Sequence, residues 1–318
     1  MLAGIRAQFP QTRISVLCTS YNRAILDRSP SVDEVFAYRK RNHGASPLAV
    51  IYGSLQKVAL IAKLRSRRFD VAIAASSPSS KRVNRLVRLI NPRRFLRSDA
   101  FGDEPGNVAS SRLDAKHEVE RVWEIGRDFG LVGEPGELQM YPEPESKRML
   151  RARFQETTAR TQLAAIHISS RKSSQQWSAE CFADVIGRLA CAHANLGFVI
   201  LWAPGESDAR GHSGDDVKKE ELASRLGTKM PVTFHETPDL EATVSAISAC
   251  GYFLGSDGGA MHIAAGCGLA VAGLFGGSDL QRWRPWRARA EALQTNTKNV
   301  GDLTPSVVAE AATRVWFS

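Results

Sequence analysis

Residues 251–286, GYFLGSDGGAMHIAAGCGLAVAGLFGGSDLQRWRPW, give the strongest indication of the fold of this chain. A short apolar run at 252–254 ends in Ser-Asp-Gly-Gly, and a helix pattern of small residues follows it. A second apolar run at 269–275 then ends in Gly-Gly-Ser-Asp. A glycine-rich helix start binds anions, because its backbone N–H groups have no partner in the helix and the helix dipole is positive there. The alternative is that these glycines only relieve crowding between packed elements.

The same alternation of short apolar runs and helical patterns continues along the whole chain. Helical patterns lie at 2–8, 53–68, 79–89, 118–130, 147–158 and 302–316. Further strands are predicted at 13–18, 35–38, 70–74, 94–96, 162–168, 198–202 and 232–234. Strands that alternate with helices form parallel sheets covered by helices on both faces. The sequence therefore predicts an α/β protein.

A change of composition at 132–146 marks a domain boundary, since GEPGELQMYPEPES concentrates prolines, glycines and acids. The length of 318 residues also favours two domains, each with its own core. We predict two doubly wound, Rossmann-type domains, 1–145 and 146–318, that face each other across a cleft. Such a cleft is a typical binding site.

The composition argues against a membrane-spanning or disulfide-rich protein. No apolar run approaches the roughly 18–20 residues that span a bilayer. Arg6 and Arg13 interrupt any apolar stretch of a signal peptide. The five cysteines are scattered and no pair has CxxC spacing, which favours buried free thiols over a disulfide framework or a zinc site. We therefore expect a cytoplasmic protein without a metal site.

The positive charge is concentrated in one segment. The net charge is +9, and residues 63–97 contain eleven Lys or Arg residues and one acid. In the helix predicted at 79–89, Lys81, Arg85 and Arg88 share one face, and Arg82 adds to the basic character. This face suits an anionic acceptor or an anionic membrane surface, and a merely solvated helix face is the alternative. Nucleic acid is not expected, because no aromatic residue is interleaved with these arginines before Phe95.

Residues 256–279, SDGGAMHIAAGCGLAVAGLFGGSD, are similar to the signature of glycosyltransferase family 9, the heptosyltransferases of lipopolysaccharide core assembly. Weaker similarities occur in the family's order at 5–18, 116–131, 165–186 and 201–210. The resemblance implies a GT-B fold, with an acceptor-side domain at 1–145 and a nucleotide-sugar donor domain at 146–318. It also implies inversion at the anomeric carbon without a required metal.

The resemblance implies that Asp257, Gly258 and Gly259 form the donor loop, in which the glycine N–H groups approach the diphosphate. A carboxylate beside a diphosphate is unfavourable, so Asp257 is expected to position the sugar or the loop, or else to cap the helix. Met261 and His262 fall in the first helical turn and are predicted to be donor-binding residues. His262 is expected to donate to phosphate or to be a satisfied core histidine.

A second set of donor residues follows the strand predicted at 162–168. Ser169, Ser170 and Arg171 supply hydroxyl groups and a guanidinium group that suit phosphate oxygens. The family has a lysine shortly before the tryptophan that matches Trp177, whereas glutamines occupy positions 175 and 176 here. Lys172 is expected to supply that charge from a shifted position.

A third donor segment is expected after the strand predicted at 198–202. Gly205 and Glu206 match the family segment that contacts the nucleoside, and a carboxylate suits ribose hydroxyls. The alternative for Glu206 is a solvated loop glutamate.

The family's general base is an aspartate in the loop after the first strand. This chain opens on the helical pattern at 2–8, so that strand and loop are predicted to be missing, or Met1 is an internal methionine of a longer protein. No residue matches the aspartate, and no catalytic base is assigned.

The resemblance implies an inverting glycosyltransferase that moves a heptose or a related sugar from an ADP-sugar to a lipopolysaccharide core acceptor. No cofactor other than this co-substrate is expected, and the protein is expected at the cytosolic face of the inner membrane, in peripheral contact with it. The alternatives are a catalytically impaired or truncated nucleotide-sugar-binding protein and a GT-B-like sugar-nucleotide epimerase. A dinucleotide-dependent oxidoreductase is disfavoured, since no GxGxxG with a downstream acid follows a strand.

Overall fold

The computed structural model describes residues 1–39, 47–76, 80–98, 116–205 and 214–318, with side chains from residue 54 onward in the helix that begins at Pro47. The chain forms two compact units. The first consists of Met1–Arg23 and Pro30–Gly136, and the second consists of Ala24–Ser29 and Glu137–Ser318.

The first unit contains two parallel strand pairs, β1 with β2 and β3 with β4. Its elements are α1 (Leu2–Gln8), β1 (Ser15–Thr19), β2 (Glu34–Tyr38), α2 (Pro47–Ser66), β3 (Val71–Ile73), α3 (Lys81–Ile90), β4 (Arg94–Leu96) and α4 (Glu118–Arg127). Ile5, Trp123 and Leu131 form a buried cluster against which Val16 of β1 and Ile73 of β3 pack. The helices and strands predicted for this half of the chain are all present, with end positions shifted by a few residues.

The second unit contains a six-stranded parallel sheet in the order β10-β9-β8-β5-β6-β7. Its strands are β5 (Gln162–His167), β6 (Leu196–Trp202), β7 (Val232–Glu236), β8 (Tyr252–Ser256), β9 (Ala270–Phe275) and β10 (Ala290–Gln294). Its helices are α5 (Pro144–Thr158), α6 (Ala179–Ala192), α7 (Asp216–Leu226), α8 (Leu240–Ser248), α9 (Gly259–Gly266), α10 (Leu280–Trp283) and α11 (Pro305–Phe317).

This sheet is buried on both faces. Ala164 and Ile166 of β5 point into a core built with α6 and α11, whereas Leu163 and Ala165 point into a core built with α8 and α9. Successive side chains of a strand face opposite sides, so a strand covered on both sides must be apolar throughout. The apolar runs at 162–168, 198–202 and 269–275 are therefore explained, and the predicted parallel sheet with helices on both faces is confirmed.

The edge strand β10 was not predicted from the sequence. Its residues AEALQ are all half-buried, because β9 is the one described strand with which β10 pairs. An edge strand needs no continuous apolar run, and its pairing is decided by the neighbouring strand.

The cysteines agree with expectation only in part. All five cysteines are free thiols, but Cys191 is exposed and Cys250 is buried, and burial raises the pKa of Cys250 to about 12.

In the described parts of the chain, no helix is long and apolar enough to cross a membrane. The same parts contain no group of three side chains that could hold a metal ion.

Candidate functional site

The candidate site lies where the strand order of the second sheet reverses direction. The chain runs outward from β5 through β6 to β7, then returns to the other side of β5 as β8 and continues outward to β9 and β10. The carboxyl ends of β5 and β8 are neighbours, since His167 is in register with Gly255. Ligands of open α/β sheets bind outside the carboxyl ends of the strands at such a reversal. The segments predicted to bind the donor, which follow β5 and β8, meet at this point.

The start of α9 provides open backbone donors. Gly258 is the residue before the helix, Gly259 is the first helical residue, and both are exposed. Among the described residues, no side chain caps this helix start, and a Cβ added at Gly259 would meet none of their atoms within 4 Å outside its own turn of helix. Within the described part of the chain, the positive end of the helix dipole and the start of the first turn therefore have no side-chain cap, as an anion site requires.

Asp257 does not cap α9, so the expected capping alternative is wrong. Gly258 occupies the cap position, and the Asp257 carboxylate instead accepts a hydrogen bond from Gln175 Nε2 at 2.9 Å. Its backbone N–H donates to Leu274 O at 2.8 Å, which ties the end of β8 to β9. Asp257 is thus held at both its backbone and its carboxylate.

Gln175 joins three strand ends, a role that the sequence did not reveal. Its side-chain Nε2 lies 2.9 Å from Asp257 Oδ2 and 2.9 Å from Ser278 Oγ. Its backbone carbonyl oxygen accepts from Ser256 Oγ at 2.6 Å. Lys172 Nζ lies 3.4 Å from the same Ser278 Oγ. The only sequence signal was position: Gln175 precedes Trp177, which is buried and donates from Nε1 to Leu303 O at 3.1 Å.

The residues after β5 divide into fixed and available groups. Ser169 Oγ accepts from Ala203 N at 2.9 Å, which links the ends of β5 and β6. Ser170 offers its carbonyl oxygen to Gln176 Nε2 at 3.2 Å. Arg171 and Lys172 are exposed, and Arg171 has no hydrogen-bond or ion-pair partner among the described residues. The two cationic groups are therefore accessible to an anion, as their predicted role requires.

The end of β6 is held by an aspartate that the sequence reasoning missed. Asp216 Oδ2 accepts from Gly205 N at 2.9 Å and Asp216 Oδ1 accepts from Trp202 Nε1 at 2.8 Å. The N–H of Gly205 is thereby used within the protein. Gly205 has φ +117°, a backbone conformation that favours glycine. Glu206, the other residue predicted here, lies outside the described residues.

The two predicted side chains of α9 differ in exposure. Met261 is fully buried in the core, where its Sδ would lie 2.9 Å from a Cβ added at Gly273 of β9. Only the backbone of Met261 is left for the predicted contact with the donor. His262 is half-buried and its ring centre lies 6.3 Å from that of Trp283.

Two further charged side chains, Lys218 and Asp215, lie at the ends of β5 and β6. Lys218 Nζ donates to Ile168 O at 2.8 Å, and burial lowers the pKa of this ammonium. Burial also raises the pKa of Asp215, although its hydrogen bond with Ser169 and the charge of Lys218 oppose that shift. Lys218 and Asp215 therefore stabilise the ends of β5 and β6 rather than lying open to a ligand.

His167 makes the stability of this sheet depend on pH. Burial, with a smaller contribution from the charge of Lys218, lowers the pKa of His167 to about 4, while its hydrogen bond to the Ser169 backbone opposes the shift. Below its unfolded-state pKa of about 6.5 the unfolded chain binds a proton that the folded chain does not, so stability falls as the pH decreases from about 6.5 to 4. This pH dependence is tested by urea unfolding of the His167→Gln variant, followed by tryptophan fluorescence. Between pH 7.5 and 4.5, the free energy of unfolding should fall by on the order of 2 kcal/mol less in the variant than in the wild type. Equal losses in both proteins would contradict this assignment.

The basic face predicted on α3 is present in the first unit. Lys81, Arg82, Arg85 and Arg88 are exposed, while Ile90 is buried. Arg97, which the sequence placed in the same basic segment, is instead buried, with its guanidinium carbon 5.1 Å from the centre of the Phe95 ring. Arg97 therefore does not contribute to the charged surface.

The relatives of this chain are consistent with this geometry. Residues 58–306 match the family model "Glycosyltransferase family 9 (heptosyltransferase)". The chain is 22% identical over 291 residues to lipopolysaccharide heptosyltransferase 3 of Escherichia coli, covering 90% of this chain and 81% of that protein.

Solved structures show the same fold. The glycosyl transferase family 9 protein of Veillonella parvula matches with a TM-score of 0.78 at 18% identity, covering 99% of this chain and 91% of that structure. The E. coli ADP-heptose lps heptosyltransferase II matches with a TM-score of 0.76 at 18% identity, covering 99% and 92%. The predicted α/β fold of the GT-B class is thereby confirmed. The match to the family model covers most of the chain, and the protein therefore belongs to glycosyltransferase family 9.

Proposed function

We propose that this protein is an inverting, metal-independent glycosyltransferase that moves a heptose or a related sugar from an ADP-sugar to a lipopolysaccharide core acceptor. The observation that carries the proposal is the convergence of the open start of α9 with Arg171 and Lys172 at the point where the strand order reverses. The donor class comes from the family and from relatives whose names include heptosyltransferase and ADP-heptose.

The donor diphosphate is the group that this arrangement suits best. The N–H groups at Gly258 and Gly259 provide fixed donors, and Arg171 and Lys172 provide exposed positive charge. Donors and charges that are already in place stabilise an anion without reorganisation, and negative charge grows on the diphosphate as the bond to the sugar breaks. These groups would therefore bind the donor and stabilise the leaving group.

In an inverting transfer, the acceptor hydroxyl attacks the anomeric carbon from the face opposite the diphosphate and loses its proton to a base. No residue of this chain is assigned as that base. Asp257 is assigned to the loop and to the sugar hydroxyls, because Gln175 holds one of its carboxylate oxygens on the protein side. No cofactor beyond the nucleotide sugar is proposed.

The acceptor is proposed to be an anionic glycolipid at the cytosolic face of the inner membrane. The support is the exposed basic face of α3, formed by Lys81, Arg82, Arg85 and Arg88. Such a surface attracts phosphates and carboxylates of a core glycolipid, and also the anionic leaflet that presents it. Peripheral contact with that leaflet is part of the proposal.

The proposal is tested by ADP release from ADP-heptose in the presence of a heptose-acceptor glycolipid, together with calorimetry of ADP binding. The wild type should bind ADP, and it should release ADP from ADP-heptose only when the acceptor glycolipid is present. Asp257→Ala should sharply weaken binding of the ADP-sugar, because the carboxylate that positions the sugar and anchors the loop is lost. Unchanged donor affinity of that variant would refute the donor-loop assignment.

The same assay separates the alternatives. ADP-sugar binding without transfer would replace the proposal with a catalytically impaired nucleotide-sugar-binding protein. Interconversion of a free nucleotide sugar without any acceptor would replace it with an epimerase.

A further inference from the structure

Gln175 is a neutral side chain buried between groups of the proposed donor site. It is only 4% exposed. Its amide nitrogen carries two hydrogens, and both have acceptors at 2.9 Å, namely Asp257 Oδ2 after β8 and Ser278 Oγ after β9. The buried amide therefore satisfies its two N–H donors with groups from two different strand ends.

These contacts fix which hydrogen bonds the Ser278 hydroxyl accepts and which one it can donate. A hydroxyl has one donor hydrogen and two acceptor lone pairs. Ser278 Oγ accepts from Gln175 Nε2 and also from Lys172 Nζ at 3.4 Å, and neither of these nitrogens can accept a hydrogen bond. Both lone pairs are thus used by donors, and the hydroxyl hydrogen is left to point away from them. Ser278 is half-buried, so that hydrogen is within reach of a bound molecule.

The backbone around Ser278 is also fixed. Gln294 Nε2 donates to Gly276 O at 2.6 Å and to Ser278 O at 2.8 Å, and Gly277 N donates to Ser174 Oγ at 3.3 Å. The loop after β9 is therefore held by β10 on one side and by the loop after β5 on the other. A hydroxyl on such a loop is preorganised for binding.

We propose that Ser278 donates a hydrogen bond to the donor diphosphate, and that Gln175 is a positioning residue that orients Ser278 and holds Asp257 away from the anion. This inference rests on the proposed function, since it requires a diphosphate at the end of the sheet. Lys172, bound to the same hydroxyl, places a positive charge beside it. Hydrogen bonds to charged groups are stronger than those between neutral groups, so each partner has a measurable effect.

The test uses ADP calorimetry on the full chain with Ser278→Ala and Gln175→Glu, between pH 5 and 8.5. Ser278→Ala should weaken ADP binding about tenfold, the size expected for one hydrogen bond to a charged group. Gln175→Glu places a second carboxylate beside that of Asp257, and two adjacent carboxylates share a proton with one pKa strongly raised. ADP affinity of this variant should therefore fall as the pH rises, beyond any change in the wild type.

The double variant Gln175→Glu with Asp257→Ala removes the partner carboxylate and should lose most of this extra pH dependence. The other titratable side chains of these loops and of α9, Lys172, Asp279 and His262, are present in every variant and in the wild type. Gln162→Glu is the matched control, because it makes the same change at the opposite, exposed end of β5. The ADP affinity of this control should depend on pH as that of the wild type does.

Wild-type ADP affinity of Ser278→Ala would overturn the hydrogen bond to the diphosphate. A pH profile of Gln175→Glu identical to that of the wild type would overturn the positioning role. If Gln175→Glu does not fold, Ser278→Ala still tests the hydrogen bond to the diphosphate. Gln175→Met, which keeps the shape but removes both donors, then tests the positioning role: a loss of ADP affinity supports it, and wild-type affinity overturns it. Failure of the wild type to bind ADP would instead contradict the proposed function.

Discussion

Replacing Gly276 with alanine should destabilise the second unit by about 2–3 kcal/mol, the usual effect of forcing an extra methyl group into a packed position. Gly276 is buried at the end of β9, and a Cβ added there would overlap the carbonyl group of Ser174 in the loop after β5. The overlapped atoms of Ser174 belong to its backbone and cannot rotate away, so relief requires one of the two loops to move. Both loops contribute to the proposed donor site, and ADP affinity should fall together with stability.

The neighbouring glycine supplies the control. A Cβ added at Gly277 would lie 3.5 Å from Ser174 Oγ, which is an ordinary contact. Urea unfolding and ADP calorimetry of Gly277→Ala should therefore differ little from the wild type. Equal stability of Gly276→Ala and Gly277→Ala would show that the β5 and β9 loops do not approach as closely as described.

Gly259→Val should reduce ADP affinity about 100-fold while leaving stability unchanged. A Cβ at this exposed position meets no atom of the described residues within 4 Å outside its own turn of helix, so we expect the valine side chain to be accommodated without a clash. It would occupy the space in front of the first turn of α9, where the proposed diphosphate receives its backbone hydrogen bonds. A 100-fold loss corresponds to about 2.7 kcal/mol, comparable to one or two hydrogen bonds to a charged group.

Gly187→Val on α6 is the matched control for this variant. It is also a helical glycine whose added Cβ would meet no atom of the described residues within 4 Å outside its own helix backbone, but it lies in the middle of α6. Both variants should unfold at the wild-type urea concentration or above it, and only Gly259→Val should lose affinity. Tight ADP binding by Gly259→Val would place the anion somewhere other than the start of α9.

Much of the fold was readable from local patterns. Strands β5, β6, β8 and β9 are continuous apolar runs because both faces of the sheet are covered, and that pattern is visible without any knowledge of neighbours. β10 was missed because its residues are half-buried at an edge, where the neighbouring strand rather than the sequence pattern determines pairing.

The candidate site was predicted less completely than the fold. Gly258, Gly259 and Arg171 could be found from the chain, because a glycine-rich helix start and a cation after a strand are local features. Gln175 and Asp216 could not, since their partners lie in other segments: Asp257 follows β8, 82 residues from Gln175, and Gly205 follows β6, 11 residues from Asp216. Met261 was predicted beside the donor from its position in the first turn, but its side chain points into the core.

The sequence alone determined that residues 251–286 form a strand, a glycine-led helix and a second strand, because burial and backbone freedom act through neighbouring residues. Which residues complete the site depends on the folded chain, since strand order brings the ends of β5, β8 and β9 together. In the folded chain, Asp257 also accepts from Gln175 rather than capping α9. Hydrogen bonds between side chains distant in sequence depend on strand order, and no local pattern records that order.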